Sequence, residues 1–148
     1  ALGIAYGARG NQKMIIKKYR EAIADFNEAI ELNPKDNISF QFRAQTKRVL
    51  GDNRGAIADF NTAIEIEPND SQAHNNRGNA KSDLGDLHGA MADYNKAIEI
   101  DNNNEKAYFN RGLTKLDLKQ KESGCLDLSK AGELGLMEAY DAIRKRCN

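Results

Sequence analysis

The chain has 148 residues, enough for an ordinary folded domain with a buried core. Its 22 Lys and Arg balance 22 Asp and Glu, and a formal net charge of zero argues against a dedicated nucleic-acid or anionic-membrane surface. With 30% charged and 40% hydrophobic residues the composition is that of a folded chain, and no apolar run approaches the roughly 18 residues that a membrane helix needs.

Nothing at Ala1 reads as a signal peptide, and the absence of an initiator Met suggests a processed or trimmed start. A first helix pair is expected over 3–16 and 19–32. In it Ala22, Ile23, Phe26, Ala29 and Ile30 recur at spacings of three and four, which places them on one helical face. Asn33-Pro34 closes the pair, because proline cannot continue a helix. A second pair is expected over 37–50 and 53–66, broken by Gly51-Asp52 and closed by Glu67-Pro68. A third, over 71–84 and 87–100, turns at Gly85-Asp86, and a fourth covers 105–118 and 121–134. A shorter helix near 137–146 follows. Leu136, Ala139, Tyr140, Ile143 and Cys147 form its apolar stripe, and Glu138, Asp141, Arg144, Lys145 and Arg146 face away, as expected of a solvating cap.

The pairs are copies of one another. Ala22-Ile23-Ala24-Asp25-Phe26-Asn27 returns 34 residues later as Ala56-Ile57-Ala58-Asp59-Phe60-Asn61. It returns again as Ala90-Met91-Ala92-Asp93-Tyr94-Asn95, and in degenerate form as Gly124-Cys125-Leu126-Asp127-Leu128-Ser129. Arg9-Gly10, Arg43-Ala44, Arg77-Gly78 and Arg111-Gly112 keep the same interval. Four copies in phase exclude coincidence and imply a stack of repeats over about 3–36, 37–70, 71–104 and 105–138.

The small–large–small alternation of Ala22/Phe26/Ala29, Ala56/Phe60/Ala63 and Ala90/Tyr94/Ala97, with Pro34 and Pro68 closing two units, resembles the tetratricopeptide (TPR) repeat family. The resemblance implies an all-α fold: a right-handed α-α superhelix of four helix-turn-helix repeats plus a C-terminal capping helix, forming one domain over 1–148. Arg9, Arg43, Arg77 and Arg111 stand where the family usually has leucine. Lys13, Lys47, Lys81 and Lys115 stand where it often has tyrosine, and Asn102 replaces the closing proline of the third unit.

An arginine in a core-like slot needs a partner, and each second helix supplies an aspartate: Asp25, Asp59, Asp93 and Asp127. Antiparallel pairing makes Arg43 level with both Asp59 and Asp25, so each aspartate can bridge its own arginine or the next unit's. A repeated structural tie is expected rather than an anion site, since a partner occurs in every unit. On this reading Asp59→Ala destabilises the fold and leaves the affinity of each folded molecule unchanged.

The family resemblance implies that the first helices line a concave groove that binds a protein or peptide. The candidate contacts are Asn11 in the first unit, Gln41, Phe42, Gln45 and Arg48 in the second, Asn75, Asn76 and Asn79 in the third, and Lys106, Phe109 and Asn110 in the fourth. Ile4, Gly7, Ala8, Ile15 and Ile38 face the same way. The set is rich in carboxamides, each offering a donor and an acceptor to an extended backbone, with Phe42 and Phe109 as apolar anchors. Chaperone-binding TPR domains clamp a terminal carboxylate with lysines, an arginine and asparagines. At those positions this chain has Gly7, Asn11, Phe42, Gln72 and Asn76 in one register, and Gln41, Gln45, Asn76, Lys106 and Asn110 in the next. One cation in two registers does not make such a clamp.

No His/Cys/carboxylate cluster, phosphate loop or Ser–His–acid set is present, so neither catalysis nor a cofactor or metal is expected. Asp101-Asn102-Asn103-Asn104-Glu105 lacks the glycine of a calcium loop, Lys106 standing in its place. His74 shares its slot with Tyr6, Phe40 and Tyr108, as a packing imidazole would, and His88 opens a second helix facing solvent. Cys125 and Cys147 are equidistant from Leu136, so they lie side by side as a disulfide, as two buried thiols, or as part of a redox or metal site. A disulfide would imply a periplasmic or secreted protein, free thiols a cytoplasmic one. Two other roles remain open for the chain: an assembly element that self-associates through its glycine-rich first repeat (Gly3, Gly7, Gly10), or the recruitment arm of a longer enzyme.

Overall fold

The computed structural model describes residues 1–148 and contains nine helices and no strand. They are α1 (Leu2–Ile15), α2 (Tyr19–Leu32), α3 (Asn37–Val49), α4 (Asn53–Ile66), α5 (Ser71–Asp83), α6 (Leu87–Ile100), α7 (Glu105–Asp117), α8 (Lys121–Glu133) and α9 (Glu138–Arg146). Five starts are fixed by side chains that accept from the free N–H groups of the first turn: Asp36, Asp52, Asp70, Asp86 and Asn104. The turns within the second and third pairs pass through Gly51 and Gly85 at φ +85° and +83°. That left-handed conformation is open to glycine without a Cβ clash. None of the helices is long and apolar enough to cross a membrane.

The chain divides into two compact units, 1–69 and 70–148. In the first, α1 packs on α2, α3 on α4 and α2 on α3, and α1 runs beside α3. In the second, α5 packs on α6, α7 on α8 and α6 on α7, and α9 lies on α8. One large side chain of each second helix fills the centre of its pair. Phe26, Phe60, Tyr94 and Leu128 are all buried, between alanines at 22 and 29, 56 and 63, 90 and 97, and beside Ala131. The ring fits because the first helix presents a small residue to it. A Cβ on Gly10 would stand 2.7 Å from the Phe26 ring, and one on Gly78 2.6 Å from Tyr94. In the fourth pair leucine replaces the ring and the backbones close in, so that a Cβ on Gly112 would come 2.9 Å from the Gly124 carbonyl oxygen.

Cys125 and Cys147 form a disulfide and no free cysteine remains. It fixes α9 to α8. Ala139 is buried beneath, and the Tyr140 ring lies where a Cβ on Gly132 would be. Arg146 adds a hydrogen bond to Asp117 of α7 at 2.7 Å. A helix of nine residues has little stability of its own. Opening the 22-residue loop with Cys147→Ser is therefore expected to lower stability by about 3 kcal/mol. Amide exchange of α9 should quicken first; unchanged exchange there would show that packing alone holds it.

Candidate functional site

The arginines and aspartates that recur every 34 residues pair within their own repeat. Arg43 donates from Nε and Nη2 to both oxygens of Asp59 at 2.9 and 2.7 Å. Arg9 does so with Asp25, Arg77 with Asp93 and Arg111 with Asp127, at 2.6 to 2.9 Å. One turn on, Lys13, Lys47, Lys81 and Lys115 place Nζ 2.8 to 2.9 Å from the same carboxylates. Two cations four residues apart on one helix thus converge on one buried acid. The next repeat's arginine reaches back to an asparagine instead: Arg43 Nη1 donates to Asn27 and Arg111 Nη1 to Asn95. These carboxylates are saturated from within the chain, which makes them ties and not ligand groups.

Hydrogen bonds from Arg9, outweighing the penalty of burial, hold Asp25 at about 2. For Asp93 burial works in the opposite sense, yet the bonds from Arg77 and Lys81 keep its pKa lowered. A carboxyl that is low when folded and ordinary when unfolded contributes stability that is complete above about pH 4. That stability is lost as the pH falls towards 2. The melting temperature should drop across this interval, and Asp25→Asn should flatten the drop when melts are followed by circular dichroism. An equal drop in that variant would assign the acid sensitivity elsewhere.

Above each tie sits an aromatic residue of the first helix. The guanidinium lies over the ring of Tyr6 at 5.1 Å, and over Phe40 and Tyr108 at 5.4 Å. His74 takes the slot in the third repeat. It is buried, with Nδ1 3.8 Å from Asp93 Oδ1. His88 is exposed near the start of α6.

In the first unit the groove-facing residues enclose a cleft of about 240 Å³ between α1 and α3. Ile4, Gly7, Ala8 and Asn11 form one wall; Ile38, Ser39 and Phe42, with Asp36 at the rim, form the other. The cleft exists because α1 has Gly7 and Ala8 where α3 has Gln41 and Phe42 and α7 has Phe109 and Asn110. Ile4 and Ile38 are 77% and 62% exposed, an apolar pair left in water. Phe42 is half-buried and stacked on Phe26, ring centres 6.0 Å apart. The Asn11 carboxamide, half-buried among these groups, makes no hydrogen bond inside the protein. Gln41, Gln45 and Arg48 lie half-buried further round and along α3, and Gln41 donates to Asn37 at 2.9 Å.

In the second unit the carboxamides bind one another. Asn75 is buried, not groove-lining: its Oδ1 accepts from Asn110 at 3.0 Å and its Nδ2 donates to Asn76 at 3.4 Å. Asn79 is likewise engaged, its Oδ1 accepting from the Tyr94 hydroxyl at 2.8 Å. This leaves the Asn76 side-chain NH₂ and the Asn110 Oδ1 without partners. Lys106 is exposed on α7, and Phe109 is half-buried there. Replacing both Asn76 and Asn110 by alanine would strand the buried Asn75 carboxamide.

Comparison with known proteins bears on the whole arrangement. A family model described as TPR repeat matches residues 47–85 and 79–118, and one described as tetratricopeptide repeat matches 3–36. No curated protein matches the chain. Among solved structures, the TPR domain of Sgt2 from Aspergillus fumigatus is 27% identical over 80% of each chain, with a TM-score of 0.76. The first TPR of Spaghetti (RPAP3), bound to the HSP90 peptide SRMEEVD, is 24% identical, covering 80% of this chain and 94% of its own, with a TM-score of 0.77. YrrB, a TPR protein with an unusual peptide-binding site, is 24% identical over 96% of this chain and 74% of its own, with a TM-score of 0.82. The four helix pairs share the all-α superhelical repeat fold of these structures. By its repeats and by its fold, the chain belongs to the tetratricopeptide repeat family.

Proposed function

We propose that the protein is a non-catalytic interaction module that binds an extended peptide, with the α1–α3 cleft as its anchor. The observation that carries this reading is the cleft itself: an apolar pocket holding one carboxamide with its donor and acceptor both unspent. An aliphatic side chain of the ligand fills the space between Ile4, Ile38 and Phe42, while Asn11 meets the C=O and N–H of the adjoining backbone. Gln41, Gln45 and Arg48 make flanking contacts. In the second unit the open Asn76 donor and Asn110 acceptor, with Lys106 and Phe109 beside them, serve the same kind of backbone. The peptide-bound first TPR of Spaghetti (RPAP3) and the peptide-binding site of YrrB support the mode. The cleft lining holds no lysine or arginine and carries Asp36 at its rim, so an acidic peptide such as SRMEEVD is expected to bind poorly.

Random peptides displayed on phage and selected on the full chain should converge on a central aliphatic residue. Ala8→Phe sets a ring in the cleft at an exposed position, and should leave the melting temperature unchanged. A peptide from that selection should lose about 10- to 100-fold in affinity for this variant, the worth of one buried aliphatic side chain. Undiminished affinity would remove the cleft from the binding site.

A further inference from the structure

A net charge of zero conceals an uneven placement of charge within the first unit. Its paired helices are antiparallel, so α1 and α3 end, and α2 and α4 begin, at one edge. Lys17, Lys18, Arg20 and Arg54 are exposed there. The acids of this edge are already engaged. Asp52 accepts from the Gly55 N–H at 2.9 Å, and Glu21 lies 3.6 Å from Lys18 and 3.9 Å from Lys13. No ion pair engages Lys17, Arg20 or Arg54. The opposite edge of the unit is acidic, with Glu31, Glu65 and Glu67 in solvent against Lys35.

Aliphatic side chains stand among the cations. Ile16 and Leu50, which follow α1 and α3, are 63% and 47% exposed, and Ile15 and Val49 before them 69% and 53%. Leu50 shares a shallow recess with Lys17, Lys18 and Arg20. The first pair lies against the second, which still keeps Val49 and Leu50 in water, so this exposure belongs to the edge and not to an uncovered end.

The turn from α1 to α2 also gives up local stability for its charge. At this step the next two repeats use Gly51 and Gly85, whereas Lys17 takes the left-handed conformation at φ +61°. A side chain is strained there and glycine is not. Asp52 and Asp86 cap α4 and α6, but Lys18, in the same place before α2, makes no capping bond. Two cations thus replace the two residues that suit the turn best. Lys119 repeats the first exchange in the fourth repeat at φ +65°, but Leu118 beside it is half-buried.

We propose that this edge of the first unit docks on an anionic lipid surface. Lys17, Lys18, Arg20 and Arg54 lie among the acidic headgroups, and Ile16 and Leu50 reach the acyl boundary between them. A fluid bilayer demands no matching shape, which suits flexible cations around open aliphatic side chains with only a shallow recess. The contact is peripheral, since no helix can cross the bilayer. It shares no residue with the lining of the peptide cleft.

The probe is the full chain sedimented with phosphatidylcholine vesicles, with and without about 30% phosphatidylserine, in about 50 mM and 500 mM salt. Binding is expected to the anionic vesicles at the lower salt alone. Lys17→Gly should not lower the melting temperature, because glycine relieves the turn, yet it should cost about fivefold in vesicle affinity. Arg20→Gln should cost as much, and Ile16→Ser should weaken binding at unchanged charge. Lys119→Gly relieves the same kind of turn in the second unit and should change the affinity by less than about twofold. Ala8→Phe should bind vesicles as the unaltered chain does. An equal loss in Lys119→Gly, or none in Lys17→Gly and Arg20→Gln, would overturn the assignment to this edge. Retention on immobilised polyglutamate without vesicle binding would give the edge to an acidic protein instead, and no binding to either would end the proposal.

Discussion

Asp59→Ala is expected to cost about 3 kcal/mol of stability, because it leaves two half-buried cations without their acid. Arg43 and Lys47 both end on that carboxylate, and both are largely covered. Neither has another carboxylate beside it, and turning to solvent means giving up the stack on Phe40 and the bond to Asn27. Asp25→Ala provides the internal comparison. Its arginine is more than half exposed and rehydrates where it stands, and Lys13 keeps Glu21 as a second carboxylate at 3.9 Å, so the loss there should be about 1 kcal/mol. Urea melts of the two variants measure the difference directly. Equal losses would mean that the ties stabilise by packing and not by charge.

Phe60→Ala should be costlier still, about 3–5 kcal/mol, since it empties the centre of the second pair. Phe60 is wholly buried, with Ala56 and Ala63 on its own helix also buried. Phe60→Leu tests the same packing more finely. Leu128 fills this slot in the fourth pair, but there Gly112 and Gly124 let the helices close to backbone contact. With alanine at both 44 and 56, α3 and α4 lack the two glycines that allow that contact, so leucine is expected to leave a void that the pair does not close. A loss of about 1–2 kcal/mol is expected from the leucine variant in denaturant titrations. A neutral result would show that α3 and α4 can close as α7 and α8 do.

The helices were legible because each turn signal recurs with its repeat. α2, α4 and α6 occupy the expected residues; Pro34 and Pro68 follow the first two, and Asp52 and Asp86 cap the last two. α1, α3, α5 and α7 stop one residue short of expectation. Ile16, Leu50, Leu84 and Leu118 leave the helix with ψ near zero, the start of the tight turn, and no change of residue type marks that step. The aspartate's partner was not legible. Arg43 lies 16 residues from Asp59 and 18 from Asp25, too close to symmetric for spacing to choose. A lysine four residues beyond each arginine was the available signal, since both must share one face. The family resemblance put Asn75 among the groove contacts. It is buried and bonded to Asn110, 35 residues on, in a different helix pair. The cleft between α1 and α3 was traceable from Gly7 and Ala8, whose smallness against Gln41 and Phe42 leaves the space.

The most direct test maps a selected peptide onto the full chain by two-dimensional amide spectra. Shifts should concentrate on α1 and α3, at Ile4, Gly7, Asn11, Ile38 and Phe42, and vanish in Ala8→Phe. Shifts gathered on α2 and α4, with α1 and α3 silent, would contradict the account.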